Sequence, residues 1–239
     1  MESFLNTFFN WHYIGQVFPE LLATGLLNTV ILAVCSVVIG TVLGMILAVM
    51  GLSTKRWLRW PARIYTDIFR GLPAILTILL VGQGLIILAP DLFASNPYPP
   101  GILALGLIGA AYIGEIFRSG IQSVDKGQRE AGLALGLGYT QTMTFVVIPQ
   151  GIRKVLPALV NQFIALIKDS SLVYFLGLLA QQRELFRIGQ DAASQSSNLS
   201  PLVAAGFLYL LCTVPLTHLV NYIDKRLRTG RKSKVVLSA

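Results

Sequence analysis

The sequence predicts an all-α membrane protein with five transmembrane helices, and three observations predict it. Only 13% of its 239 residues are charged while 54% are hydrophobic, and the mean hydropathy is +0.67. A soluble domain carries about twice that share of charge. Next, apolar runs long enough to cross a bilayer recur at about 21–50, 64–89, 101–117, 155–176 and 201–223. Finally, sixteen of the nineteen Lys and Arg fall in 51–70, 118–154 and 224–239. Cationic loops stay on the cytosolic side, so five spans put the N-terminus outside and the C-terminus inside. The net charge of +8 is then a topology signal and requires no nucleic acid.

Residues 1–18 are aromatic, hold no Lys or Arg, and lack the basic start and cleavage site of a signal peptide. They read as an extracytoplasmic interfacial segment, with His12 as an ordinary polar residue there. The first span carries Gly40 and Gly44 at GxxxG spacing, a signal for close helix packing. Residues 51–63 are basic and bear Trp57 and Trp60 at the interface. Pro73, with Gly71, Gly82 and Gly84, predicts a kinked or broken second span. Residues 90–100 are rich in turn formers and have no basic residue, as an outside loop should.

The third span ends near Glu115, an acid costly at membrane depth unless paired or wet. Either it lines a solute path or it pairs with Arg118 one turn on. In the fourth span, Asn161, Ala165, Lys168 and Leu172 share one helical stripe, followed by Asp169, Ser170 and Ser171. Lys168 cannot face lipid cheaply. A polar lining for a charged solute and a buried Lys168–Asp ion pair both satisfy that constraint. Residues 177–200 read as a short helix outside the membrane with Arg183 and Glu184 on its wet side. Ser200-Pro201 opens the fifth span, His218 within it reads as a satisfied bundle histidine, and 225–239 forms a basic cytosolic tail. Cys35 and Cys212 lie in apolar runs as small hydrophobes.

Between the third and fourth spans, in the loop 118–154, lies the stretch 129–149, REAGLALGLGYTQTMTFVVIP. It reads as a short helix with Gly132 and Gly136, and Leu133 and Leu137, each one turn apart. Its bare face and apolar edge suit close contact with a partner groove. Glu130 near its start suits the positive end of the helix dipole.

Glu130-Ala131-Gly132, then Gly136, then Val146, Ile148 and Pro149 resemble the EAA loop of ATP-binding-cassette importer permeases, with Gly132 in place of the second Ala. Three further strings resemble the polar amino-acid branch of that family: Asp67-Ile68-Phe69-Arg70-Gly71-Leu72-Pro73; Glu115-Ile116-Phe117-Arg118 with Gly120-Ile121-Gln122-Ser123-Val124; and Lys168-Asp169-Ser170-Ser171-Leu172. The resemblance covers about residues 20–225. It implies a type I importer permease fold in a bacterial plasma (inner) membrane, with a cytosolic coupling helix that docks an ATPase through Glu130, Ala131, Gly132, Leu133, Gly136, Leu137 and Gly138. It implies two ATPase subunits holding ATP and Mg, a second permease subunit, an extracytoplasmic amino-acid-binding protein, and polar amino acids as cargo. Glu115, Asn161, Lys168, Asp169 and Ser170 are the candidates for the substrate path.

The chain has no phosphate-binding loop, no HExxH, no GxSxG and no Cys/His cluster. It is therefore expected to be no enzyme and to hold no cofactor. An ion-coupled secondary transporter and a non-transporting membrane scaffold are the alternative classes. The first would show inverted repeats, which the sequence lacks.

Overall fold

The computed structural model describes the backbone of residues 2–235 and the side chains of residues 2–227. Arg228, Arg231, Lys232 and Lys234 of the expected basic tail lie outside the described side chains. Helices account for nearly all of the described chain, and no strand occurs among the described residues.

The N-terminal aromatic residues form α1 (Glu2–Phe8) and α2 (Trp11–Glu20), whose N-cap Asn10 accepts from the His12 N–H. A π-helical turn, Leu21–Gly25, runs straight on into α3 (Leu26–Leu52). Residues 11–18 are thus continuous with the first span, because nothing between Trp11 and Leu52 breaks the helix. α4 (Arg56–Gly71) follows, and then a helix broken only by a π turn, α5 (Ala74–Leu88). The helix expected over 64–89 is broken, as Pro73 predicts: α4 ends at Gly71 and is bent 112° away from α5. Pro73 has no N–H to donate, and it pushes Leu72 into an extended conformation (φ −85°, ψ 143°).

A short turn at Pro90–Phe93 leads to α6 (Tyr98–Gln122). Then come α7 (Lys126–Ala134), α8 (Tyr139–Leu176), α9 (Leu185–Ser196) and α10 (Ser200–Val235). Among the described residues, four helical runs are long and apolar enough to cross a membrane, and α4 with α5 makes a fifth if that bent pair is one span. α8 starts sixteen residues before the expected 155, because Tyr139–Thr142 and the π turn Met143–Val147 extend it. That π turn sits just ahead of Pro149, which cannot donate back to residue 145.

α3 and α6 form the central pair. Gly40 and Gly44 lie against the backbone at Gly109 and Gly114, so close that a Cβ on Gly44 would sit 2.9 Å from the Gly114 nitrogen. The core joins Leu32, Ile78, Leu105, Ile108, Leu166 and Val173 from α3, α5, α6, α8 and the turn that ends it. Val34, Val38, Val42, Ile46 and Val49 form an exposed stripe along α3, the lipid-facing pattern expected of a span.

A second cluster, remote from the 118–154 loop, packs α9 between α2 and α10 through Val17, Leu21, Leu185, Ile188 and Leu208. Glu184, expected on a wet surface, is fully buried there. Its carboxylate caps α9 by accepting from the Phe186 and Arg187 N–H groups, and it also accepts from the Tyr209 hydroxyl at 2.9 Å. Arg183 does stay near water and pairs with Glu20 and Asp191.

Burial pushes the Glu184 carboxyl up to about 7, and its three donors and Arg187 only partly oppose that rise. The fold therefore favours the protonated form. This contribution to stability is complete below the ordinary carboxylate pKa and is lost as the pH rises through about 7. Protection of the α9 amides against hydrogen exchange, corrected for intrinsic rate, is expected to fall between about pH 5 and pH 8. Glu184→Gln is expected to flatten that dependence.

Candidate functional site

The loop between α6 and α8 is built from a cap, a helix of about two and a half turns and a glycine stop. Asp125 caps α7: its Oδ1 accepts from the Gly127 N–H at 2.7 Å. Asp125-x-x-Gln128 is the legible start signal. The expected start at Glu130 is corrected accordingly. Glu130 lies in the second turn, where the dipole contributes little.

Gly136 does not continue the helix, and this too corrects the expected helical spacing of Gly136 and Leu137. Its φ of +82° is left-handed, a conformation glycine adopts without a Cβ penalty. The Leu137 N–H bonds the Gly132 carbonyl at 3.2 Å and the Gly136 N–H bonds the Leu133 carbonyl at 3.0 Å. That pair is a Schellman stop. Gly138 then opens α8, its N–H donating to Gln141 Oε1 at 3.0 Å.

The loop is fixed to the bundle on both sides. Lys154 Nζ donates to the Ser123 carbonyl at 2.5 Å, and Gln150 donates to Gln128 at 3.0 Å. α6 and α8 cross at Gly120 and Gly151, where a Cβ on Gly151 would lie 2.9 Å from the Ile121 backbone. α7 is joined along the chain to both spanning helices and touches α8 through Gln128–Gln150 and Gly132–Thr142, while the Gly120–Gly151 backbone contact holds α6 and α8 together.

Among the small residues of α7, Gly132 alone points inward. Gly132 is buried, and a Cβ there would sit 2.6 Å from Thr142 Cγ2 and 3.0 Å from its Oγ1. This accounts for Gly where the EAA pattern has Ala: Thr142 already occupies the space. Gly132→Ala is expected to cost about 1–3 kcal/mol by overpacking, read as a lower Tm in detergent. Adding Thr142→Ala is expected to restore most of it.

Outward, the loop presents Glu130, Ala131, Leu133, Gly136 and Gly138, all exposed, with Leu137 half-buried. Glu130 makes no ion pair among the described residues. Two residues that the motif does not contain dominate this surface: Leu135, 83% exposed, and Tyr139, 58% exposed. Their signal in the sequence was weak, two apolar residues flanking glycines in an uncharged stretch. Together with Leu133 they make an apolar edge beside an unpaired carboxylate, the composition of a docking patch.

The candidate path residues do not share one cavity. Glu115 pairs with Arg118 through two hydrogen bonds, Arg118 Nε to Oε2 at 2.8 Å and Nη2 to Oε1. It lines a pocket between α3, α4 and α6 that none of the α8 candidates reaches. Asn161 and Lys168 are both exposed on α8 and share its stripe. Lys168 forms no ion pair among the described residues, so no buried Lys168–Asp pair fixes the packing of this chain. Asp169 is half-buried. Ser170 is buried and donates to the Ile167 carbonyl at 2.7 Å, so its proton is already used. His218 is exposed on α10 rather than satisfied within the bundle. No cluster of metal-ligating side chains occurs among the described residues.

Residues 40–229 match the family described as "Binding-protein-dependent transport system inner membrane component". The chain is 36% identical over 208 residues to the arginine transport system permease protein ArtQ of Bacillus subtilis, covering 86% of this chain and 92% of that one. It is 35% identical over 223 residues to the glutamate/aspartate import permease protein GltK of Escherichia coli O157:H7, covering 91% and 98%. The fold superposes on the crystal structure of an amino acid ABC transporter with histidines at TM-score 0.74 and 30% identity, covering 88% of this chain and 95% of that one. It also superposes on the MetNI methionine ABC transporter at TM-score 0.70 and 19% identity, a likeness of fold. Helical bundle, break at Pro73 and glycine-stopped loop thus meet a family match that spans most of the sequence: the chain belongs to the inner-membrane permease components of binding-protein-dependent ATP-binding-cassette transport systems.

Proposed function

We propose that this chain forms the translocation path of an importer for polar amino acids and is driven by a separate ATPase that docks on the loop 126–139. The observation that carries the reading is the unpaired Glu130 beside the exposed Leu133, Leu135 and Tyr139, on a loop anchored to both α6 and α8. The positive-inside bias supports a cytosolic position for this loop, with the N-terminus outside. Two ATPases, each holding ATP and Mg, would close on one another and rock the helices through the Gly120–Gly151 crossing.

Lys168 supports a second permease subunit. A lysine exposed on the surface of a spanning helix needs a polar neighbour or water, and Lys168 forms no ion pair among the described residues. A second copy or a related chain facing α8 would enclose Asn161, Lys168 and Asp169 around an aqueous path. An amino acid's carboxylate would meet Lys168 there and its ammonium Asp169. Glu115 and Ser170 act at one remove, the first by holding Arg118 and the second by closing the turn after Ile167. The relatives' names include arginine and glutamate/aspartate, so cargo charge is set elsewhere, by the extracytoplasmic binding protein.

The experiment is reconstitution with the ATPase and the binding protein in proteoliposomes. ATP-dependent accumulation of the amino acid that the binding protein prefers is the expected result. Accumulation driven by an ion gradient without ATP would replace this reading with a secondary transporter.

A further inference from the structure

α4 has three distinct faces. Leu58, Ala62, Tyr65 and Phe69 face the bundle: Ala62 is buried, Tyr65 stacks on Phe69 with ring centroids 4.4 Å apart, and its hydroxyl donates to the Leu107 carbonyl at 2.8 Å. Trp57, Trp60, Ile64 and Ile68 follow helical spacing on a second face and are all exposed. Exposed tryptophans on a helix bent 112° from the next span belong at the level of the lipid headgroups. The third face carries Arg59, Arg63, Asp67 and Arg70.

That third face lines a pocket of about 510 Å³ with Glu115 and Arg118 of α6. Four guanidinium groups meet two carboxylates there. Among the described residues Glu115 alone of the two is paired, with Arg118, and four guanidiniums against two carboxylates leave a net charge of about +2 in the pocket. Arg59 Nε is buried without an acceptor, which is costly unless something supplies one. Arg63 has no hydrogen-bonding partner among the described residues, and Arg70 lies over the Tyr112 ring at 5.5 Å. The pocket is a cationic cavity with an unmet donor, beside a helix face suited to lipid.

We propose that this pocket holds the phosphate of an anionic phospholipid of the cytoplasmic leaflet, its acyl chains lying along Trp60, Ile64 and Ile68. Guanidinium forks match phosphate oxygens, and basic pockets between spanning helices on the cytoplasmic side take anionic headgroups. A zwitterionic lipid would bring its own ammonium group against the uncompensated arginines. The leaflet assignment rests on the orientation given under the proposed function; the phosphate site does not.

The purified full-length chain, stripped of lipid in detergent, is offered dioctanoyl phosphatidylglycerol or dioctanoyl phosphatidylcholine, and bound lipid is read by native mass spectrometry. Phosphatidylglycerol is expected to be retained about five-fold or more over phosphatidylcholine. Arg63→Gln, at an exposed and unpartnered side chain, is expected to reduce retention to the phosphatidylcholine level, and Arg59→Gln to reduce it likewise. Lys55→Gln, outside the pocket, is expected to leave it unchanged. Equal retention of the two lipids overturns the proposal, as does selectivity that survives both arginine substitutions. Displacement by excess inorganic phosphate would assign the pocket to the free ion and overturn the lipid. The readout needs neither ATPase nor cargo: lost lipid selectivity with ATPase retention intact sinks the pocket alone, and the reverse sinks the transport reading alone.

Discussion

Leu135→Glu, alone or with Glu130→Arg, is expected to strip the ATPase from the purified complex and bring uptake to background. Leu135 is 83% exposed, so its substitution costs the isolated chain almost nothing in stability. In a docked interface the same leucine would sit at the centre of an apolar patch, where truncation of an anchor costs about 2 kcal/mol or more, roughly a thirty-fold loss of affinity. A buried carboxylate adds to that. Glu130→Arg reverses a charge that has no ion pair among the described residues, so a complementary cation on the ATPase would meet a like charge. The diagnostic pattern is unchanged Tm with lost ATPase. Wild-type retention and uptake in both variants would remove the loop from the coupling path.

The second large effect is expected at Lys168. Lys168→Ala should lower ATP-driven uptake by about ten-fold or more while the complex still assembles and still hydrolyses ATP. The side chain has no ion pair among the described residues to lose, so a merely structural role predicts little change on truncation. A role in meeting the cargo carboxylate predicts loss of a charge-assisted hydrogen bond, worth about 1.5–3 kcal/mol. Lys168→Arg keeps the charge and is expected to recover part of the uptake. If Lys168→Ala instead dissociated the complex, its partner would be an acid of the second subunit and the substrate role would fall.

How much of this was legible in the sequence varied with the physics of each element. The apolar runs marked the spans because lipid demands them, and GxxxG in α3 marked a close contact that Gly109 and Gly114 complete. α4 was not legible as a separate helix. Its hydrophobic and cationic residues alternate faces, so a hydropathy window averages it into the span that follows. Pro73 signalled a break, but a 112° bend depends on where α4 packs, through Tyr65 and Leu107, and no local rule contains that. In the loop, glycines four residues apart fit a continuing helix and a helix stop equally well. Only the backbone, with Gly136 at φ +82°, separates the two. The inward turn of Gly132 followed from Thr142, ten residues away, which the motif does not include. Glu184 looked wet because acids near a polar segment usually are; its burial comes from two other helices, Tyr209 donating to it and Thr29 accepting from the neighbouring Leu185 N–H.

The orientation and contact of the loop are tested most directly by Leu135→Cys, with Cys35 and Cys212 replaced, in intact cells and then in inside-out vesicles. In vesicles a short bifunctional thiol reagent should join residue 135 to the ATPase, while the same cysteine should resist membrane-impermeant maleimide applied to intact cells. Gln195→Cys on α9 at the opposite end should behave in the reverse way. Labelling of residue 135 from outside the cell, or free access to it in vesicles that retain a full complement of ATPase, would contradict docking at this loop.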